Sequence, residues 1–513
     1  MRNAAGREIP VGLLGAGNLR PYGSPVQPPP GAGVTSSRRH VSSSSDKVLP
    51  DLRQALVELG ISHGATLSFH HHLRNGDNVL NLVMEAAAGL GLRDLHIAAS
   101  SVFPVHAPLV EHIRSGVVSS ISTAYCSGPV ADAVSAGELT TPMKLQTHGG
   151  RARAIMSHEL PIDVAFIAAP AADDAGNVSG TEGAAACGPL GYARVDALYA
   201  KAVVAVTDTL KPFPLFPPEI TQDHVDFVVV VPSIGDATRI VSGSTRVTED
   251  PVGLSIAQCA ADIIDASGLL KEGFSFQTGA GGVSLAVSQF MRQRMTEQHI
   301  VGSFASGGIT GHLVDMLERG LFRTLFDVQC FDQRAIESYR SNPRHQGMSA
   351  SLYANPTGGG CIADRLDVMI LGASEVDLDF NVNVTTRTNG QILGGSGGHS
   401  DTAAGSKLAI VTTRLRAGAL PKIVERVTTA TTPGASIDVI VTDGGIAVNA
   451  VRSDLADRLR SAGLPVVGIE RLYDFANEGA TATVRPIEDE RIVALQEYRD
   501  GTIIDVIRRA TPV

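Results

Sequence analysis

Three clusters in this 513-residue chain combine residue types suited to holding anions and handling acyl groups. The first is Ser68-Phe69-His70-His71-His72-Leu73-Arg74-Asn75-Gly76-Asp77, which follows a strand-like stretch at 65–69. Guanidinium forms bidentate, charge-assisted bonds with carboxylates, and imidazole adds further donors, so the cluster suits a carboxylate-rich anion. Metal is the weaker reading. In a strand His70 and His72 share a face while His71 points away, and no cysteine or second histidine pair lies nearby in sequence. Buried histidines bonded within a strand-to-helix turn are the structural alternative.

The other two clusters are glycine loops. Gln277-Thr278-Gly279-Ala280-Gly281-Gly282 runs into an apolar, helical stretch at 283–291. Glycine lets a backbone approach a ligand closely, and the first amides of a following helix can donate to an anion or a developing oxyanion. A plain tight turn is the competing account. The second loop, Gly394-Gly395-Ser396-Gly397-Gly398-His399-Ser400-Asp401, spends so much chain entropy on glycine that a purely structural turn explains it less well. His399 and Asp401 are placed to hold a substrate or to satisfy local amides. His148-Gly149-Gly150-Arg151 with Arg153, and Ser100, Ser101, His106 and His112, are further donors that singly read as structural.

These clusters need a scaffold, and the hydrophobic pattern supplies one. From residue 49 onward, helix-like segments such as 51–59 and 78–90 alternate with short apolar runs ending in Gly, Ser, Pro or Asp. That is the signature of βα units around a buried parallel sheet. Expected strands lie at 95–98, 164–168, 203–207 and 225–231 in the first half, and at 368–371, 408–411, 437–441 and 466–469 in the second. An α/β protein of two blocks follows, with a boundary near 233–250: a Pro/Gly/Ser-rich arm at 1–48, a first domain at 49–240 and a second at 241–513. An internal echo supports the division, since 163–177 and 367–383 each run from Asp through a buried strand to an acidic turn and Asn.

Composition narrows the partners. With 43% hydrophobic residues the chain can bury more than one core, while a net charge of -10 and no basic run argue against nucleic acid. Five scattered cysteines without a CxxC pair argue against a disulfide framework or structural zinc and point to a reducing cytoplasm. No apolar stretch approaches the roughly 20 residues of a membrane span, and the opening residues lack a signal peptide's hydrophobic core. No G-x-S-x-G elbow, P-loop or H-E-x-x-H helix occurs.

Seven ordered motifs make the chain resemble the citrate lyase alpha subunit family: SFHHHLRNGD (68–77), HAPLVEHIRSGVV (106–118), THGGRARAI (147–155), KEGFSFQTGAGGVSLAV (271–287), ASEVDLDFNVNV (373–384), GGSGGHSDTA (394–403) and VTDGGIAVNAVR (441–452), along with GREIP at 6–10. The resemblance implies two tandem CoA-transferase-like domains with largely parallel sheets. It also implies a reaction in which an acetyl thioester on the phosphopantetheine-type arm of a gamma (acyl carrier) subunit is exchanged with citrate, releasing acetate. A beta (lyase) subunit then cleaves the citryl thioester. Acetyl-CoA is the alternative co-substrate, no covalently bound cofactor or metal is expected, and an oligomer is.

On that basis His70, His71, Arg74 and His148 are assigned to citrate. Gln277, Gly279, Gly394 and Gly395 are assigned to CoA or the carrier arm, and Gly281, Gly282, Gly397, Gly398 and His399 to catalysis. Many CoA-transferases of this type form a glutamyl thioester in a segment whose counterpart here, at 301–308, holds no carboxylate. Direct attack through a mixed anhydride is therefore expected, with Glu375 the possible substitute. A citramalate lyase alpha subunit, a covalent carboxylate CoA-transferase and a non-catalytic acyl-CoA sensor are the competing identities.

Overall fold

The computed structural model describes residues 1–15, 19–24, 46–241, 247–279, 281–479 and 489–510. Two large sheets organise it. In the first, Thr66–Phe69 lies at the turning point of strand order: Leu95–Ala99, Val118–Thr123 and Met143–Leu145 extend to one side, and Val164–Ala169, Ala202–Thr207 and Phe227–Val230 to the other, all parallel. The second sheet repeats this plan around Ser275–Thr278. Gly302–Ile309, Phe322–Cys330 and His345–Gly347 stand on one side, and Val368–Gly372, Leu408–Thr412 and Val439–Thr442 on the other. Strands 164–169, 202–207 and 408–412 are buried at every position, which is why they read as unbroken apolar runs.

The repeat extends to side chains. Asp163 accepts from the Thr66 amide at 2.8 Å and Asp367 from the Ser275 amide at 2.9 Å, each also pairing with a lysine, Lys201 or Lys407. Asp173 accepts from the Asn177 amide, and Asp377 from the Asn381 amide. The echo in the sequence thus marks equivalent positions, with one correction: the partner of Asn177 is Asn381, whereas Asn383 bonds to Glu375.

Strand ends moved where side-chain patterning is ambiguous. The run at 466–469 is a strand only over Val466–Val467, and Ile469 already opens the helix Ile469–Asn477, whose buried Ile469 and Leu472 share one face. The chain's last two strands, Ile492–Glu497 and Thr502–Arg508, pair antiparallel and join the first sheet beside Met143–Leu145. Residues assigned by sequence to the second block therefore complete the sheet of the first. Of the expected N-terminal arm, residues 25–45 lie outside the described residues. Its opening is packed: Asn3 donates to the carbonyls of Ile503 and Ile504, and Arg7 pairs with Asp505 at 2.6 Å. Among the described residues no helix is long and apolar enough to cross a membrane.

The carboxyl ends of the two sheets meet. Helix His148–Met156 of the first half packs on helix Ala350–Ala354 of the second so tightly that a Cβ on Gly149 would sit 2.0 Å from the Ala354 carbonyl oxygen. Only glycine fits that approach. Gly149→Ala is expected to cost about 1–3 kcal/mol through forced separation of the helices. A urea titration followed by circular dichroism checks it, and an unchanged midpoint would show that the seam yields at no cost.

Candidate active site

Ligands in open α/β sheets bind at the carboxyl ends of strands where strand order reverses. Here that rule selects the residues after Thr66–Phe69 and after Ser275–Thr278, which are the histidine cluster and the first glycine loop. The two face one cavity of about 480 Å³, completed by the second glycine loop.

The histidines, which follow the strand, point in different directions. His71 turns into the cavity, whereas His70 and His72 point toward the helix Gly191–Tyr199. His70, assigned by sequence to the anion, instead bonds through Nε2 to the fully buried Asp196. Burial favours the protonated Asp196, but Arg151, 3.1 Å away, and His70 outweigh it and hold the carboxyl below its ordinary range. Arg151 also donates to Ser68 Oγ and the Ala98 carbonyl, so this network ties two strands and two helices of the first half together. His106 serves similarly, bonding to Asp77 and accepting from the Phe103 amide, and Arg153 pairs with Glu159. His112 lies in the helix Leu109–Arg114, away from the cavity.

In the cavity wall His71 stacks on His148 at 5.6 Å between ring centroids, and Tyr192 leans on both. His71 Nδ1 lies 2.6 Å from Ser100 Oγ. Burial first, then neighbouring His148 and Arg74, pushes His71 well below the usual imidazole range. His148 is lowered to about 3 by burial, Arg151 and Arg74. Both rings are neutral at physiological pH. Arg74 is held in a left-handed backbone conformation, φ 51°, with its guanidinium 4.8 Å from the Phe331 ring and 5.4 Å from that of Phe103. It is the one charged side chain among the described residues lining the cavity.

The turn carrying Arg74 is clamped from the other half. Gln329 donates to the His71 carbonyl at 2.6 Å, and its own amide donates to Asp327. Asp327, Cys330 and His345 are ligand types a metal could use. Yet Cys330 Sγ and His345 Nε2 both lie within hydrogen-bond reach of the single Oδ2 of Asp327, so the carboxylate is the hub of a bonded trio.

The glycine loops differ in what their amides do. Gly279 lines the cavity, but its amide is spent on the Ile370 carbonyl at 2.7 Å; Gly281 also lines it, Gly282 opens the helix Gly282–Glu297 behind it, and Ala280 lies outside the described residues. In the second loop the Gly394 amide bonds to Thr385 and that of Gly397 to Ala124, while Gly395, Ser396 and Gly398 line the cavity with amides that find no partner among the described residues. Gly395 and Gly398 admit no side chain: a Cβ would lie 2.4 Å from the Ala124 carbonyl oxygen in one case and 2.3 Å from the Tyr353 hydroxyl in the other. His399 lines the cavity with both ring nitrogens engaged, Nε2 on the Gly372 carbonyl and Nδ1 on Thr432 Oγ1, and burial lowers it to about 4. Asp401 accepts from Thr147 Oγ1 and the Gly149 amide, anchoring the loop to the helix that carries His148.

No carboxylate stands among the described residues that line the cavity. The segment at 301–308 contributes Gly308, and Ser306 bonds to Gln277. Glu375 is buried outside the cavity, accepting from Asn383 and from the Thr428 amide and hydroxyl. Tyr125, Tyr192, Gln329, Phe331 and Tyr353 line the site without having been read from the sequence. None of them belongs to a glycine loop or a histidine cluster, so no local pattern marks it.

Comparison with known proteins places the chain in a family. The family model for the citrate lyase alpha subunit matches residues 45–510. The citrate lyase alpha chain of Klebsiella pneumoniae is 48% identical over 94% of this chain and 95% of its own length, and that of Escherichia coli is 48% identical over 90% and 91%. A crystal structure of the putative alpha subunit of citrate lyase from Streptococcus mutans, in complex with citrate, superposes with a TM-score of 0.95 at 43% identity, covering 99% of this chain and all of that one. The alpha subunit of a malonate decarboxylase from Acinetobacter baumannii, 17% identical with a TM-score of 0.59, covering 85% of this chain and 93% of its own, shares the fold. With its family model spanning nearly the whole chain and relatives matched end to end, this protein belongs to the citrate lyase alpha subunit family.

Proposed function

We propose that the cavity exchanges the acetyl group of an acetyl thioester for citrate, the thioester being carried on the phosphopantetheine-type arm of an acyl carrier subunit, with acetyl-CoA as its free equivalent. The observation that carries the reading is a cavity whose described residues pair one buried cation, Arg74, with unpartnered glycine-loop amides and include no carboxylate. Without a carboxylate to form an enzyme-bound thioester, the substrate's own carboxylate must attack. A citrate oxygen adds to the acetyl carbonyl, the carbonyl pair moves onto its oxygen, and collapse expels the thiolate to leave a mixed anhydride. The thiolate then adds to the citryl carbonyl of that anhydride, and collapse expels acetate. Both additions create an oxyanion, which fixed amides stabilise in a low-dielectric site.

Arg74 with neutral His71 and His148 suits the carboxylates of citrate. The thioester arm is assigned to the side formed by Gly279, Gly281 and Gly395. His399, whose nitrogens are both occupied, is a brace for the loop. A lyase subunit that consumes the citryl thioester completes the proposed assembly.

Three outcomes follow. Purified protein with acetyl-CoA is expected to form citryl-CoA, with citrate preferred over citramalate, and absence of any acyl exchange would overturn the reading. Arg74→Ala is expected to raise the citrate KM about 10- to 100-fold, the worth of a charge-assisted bond of about 1.5–3 kcal/mol, while the acetyl-CoA KM stays within about threefold. Equal rises in both would remove Arg74 from citrate. Borohydride reduction with acetyl-CoA alone is expected to label no glutamate, so a labelled Glu375 would replace direct attack by a covalent route.

The pH dependence has a defined sign. Burial raises Asp401 to about 6, against the attraction of Arg499 and the bonds from Gly149 and Thr147, while burial lowers His148 to about 3, His399 to about 4 and His71 well below the usual imidazole range. Turnover at saturating citrate is expected to fall as pH drops through about 6 and Asp401 loses acceptor capacity, with no histidine limb between 6.5 and 8.5. Because the folded value lies above the ordinary carboxyl value, the stability Asp401 contributes is full only in acid and is lost as pH rises through about 6. Activity and stability should thus move in opposite directions there, and parallel movement would exclude Asp401 as the cause.

A further inference from the structure

Tyr353, in the helix Ala350–Ala354, is 4% exposed, and its hydroxyl rests against the second glycine loop. Ser306 Oγ donates to Gln277 Oε1 at 2.9 Å, and Gln277 Nε2 donates to the Tyr353 oxygen at 2.9 Å. An amide nitrogen only donates, so the phenol oxygen accepts here and keeps its own proton to give. No described residue accepts that proton, although a buried tyrosine hydroxyl ordinarily finds a partner. Burial pushes the phenol above its usual range, so the proton stays in place at working pH. The hydroxyl lines the cavity next to Gly398, where even a methyl group would collide with it, and the Gly398 amide is one of the unpartnered three.

We propose that Tyr353 is a catalytic hydrogen-bond donor, aimed by the Ser306–Gln277 relay and acting with the Gly398 amide on the oxyanion formed at each addition step. The role rests on the exchange reading above and specifies its chemistry. Tyr353 transfers no proton: when the carbonyl pair moves onto oxygen the phenol O–H strengthens its bond to that oxygen, and when the pair returns, expelling thiolate in one step and acetate in the other, the bond relaxes. Gln277, assigned by sequence to the carrier arm, becomes a positioning residue with both ends of its amide occupied.

Tyr353→Phe removes one oxygen and keeps the packed ring. Loss of one oxyanion donor is expected to lower kcat about 100-fold, with KM for citrate and acetyl-CoA within about twofold of wild type and an unchanged melting temperature. Ser306→Ala frees the Gln277 amide to turn and is expected to lower kcat about fivefold, again without a KM change, from the loss of one ordinary hydrogen bond. A Tyr353→Phe enzyme with wild-type kcat, or one impaired only through KM, overturns this role alone. Should the phenylalanine variant fail to fold, an undiminished kcat in Ser306→Ala overturns the relay. Failure of the wild-type protein to make citryl-CoA overturns the exchange reading and this role with it.

Discussion

The site depends on one buried carboxylate. Asp401 has no exposed side-chain surface, yet it holds the Thr147 hydroxyl and the Gly149 amide across the seam between the two sheets, with Arg499 at 3.9 Å. Burying a carboxylate costs several kcal/mol unless charge and hydrogen bonds compensate it. Its raised proton affinity, to about 6, shows that the compensation is incomplete. What the arrangement secures is position. The loop that leaves amides open to the cavity and the helix that presents His148 are fixed to one another, as the backbone bond from the His148 amide to the Gly397 carbonyl at 2.8 Å repeats. The second residue of that helix then tolerates no crowding, which is why glycine follows His148.

Two copies of one folding plan have been given unequal work. Thr66–Phe69 and Ser275–Thr278 hold the same place in their sheets and are fastened by equivalent aspartates. Beyond them the first copy carries the histidines and Arg74, and the second a glycine loop. Placing cation and amides on opposite walls lets each be tuned by its own scaffold. Asp196 and Arg151 orient the first wall, and Asp327 with Gln329 reaches over from the second to clamp its turn.

Much of this was legible in the chain because backbone demands leave local traces. The histidine triplet with its arginine stood out as a cluster, buried strands announced themselves as apolar runs, and dense glycine marked the loops that line the cavity. What the sequence concealed depends on distance. Nothing local shows that His70 meets Asp196, that Asp401 meets Gly149, or that strands at 492–508 return to the first sheet. Glu375 looked available because its neighbours in sequence are polar turns; its bonds come from Asn383 and Thr428. The tyrosines escaped notice for the same reason, since a lone aromatic reads as core.

The electrostatics of the cavity bear on how binding energy is used. A site built to hold a polyanion tightly would line itself with several cations, but the described residues lining this one supply a single guanidinium, itself stacked between two rings, and imidazoles kept neutral by burial. Interactions equally strong for substrate and transition state lower KM without speeding the chemical step. On the proposed reading, neutral donors and one cation bind citrate moderately, and the unpartnered amides of Gly395, Ser396 and Gly398 gain most when negative charge appears on the acyl oxygen. The same economy removes any need for an enzyme carboxylate, whose charge in this cavity would oppose both the substrate and the oxyanion. On that reading, the lack of a glutamate among the described residues of the cavity wall and the neutrality of its histidines both leave the field of the site to the reacting carbonyl.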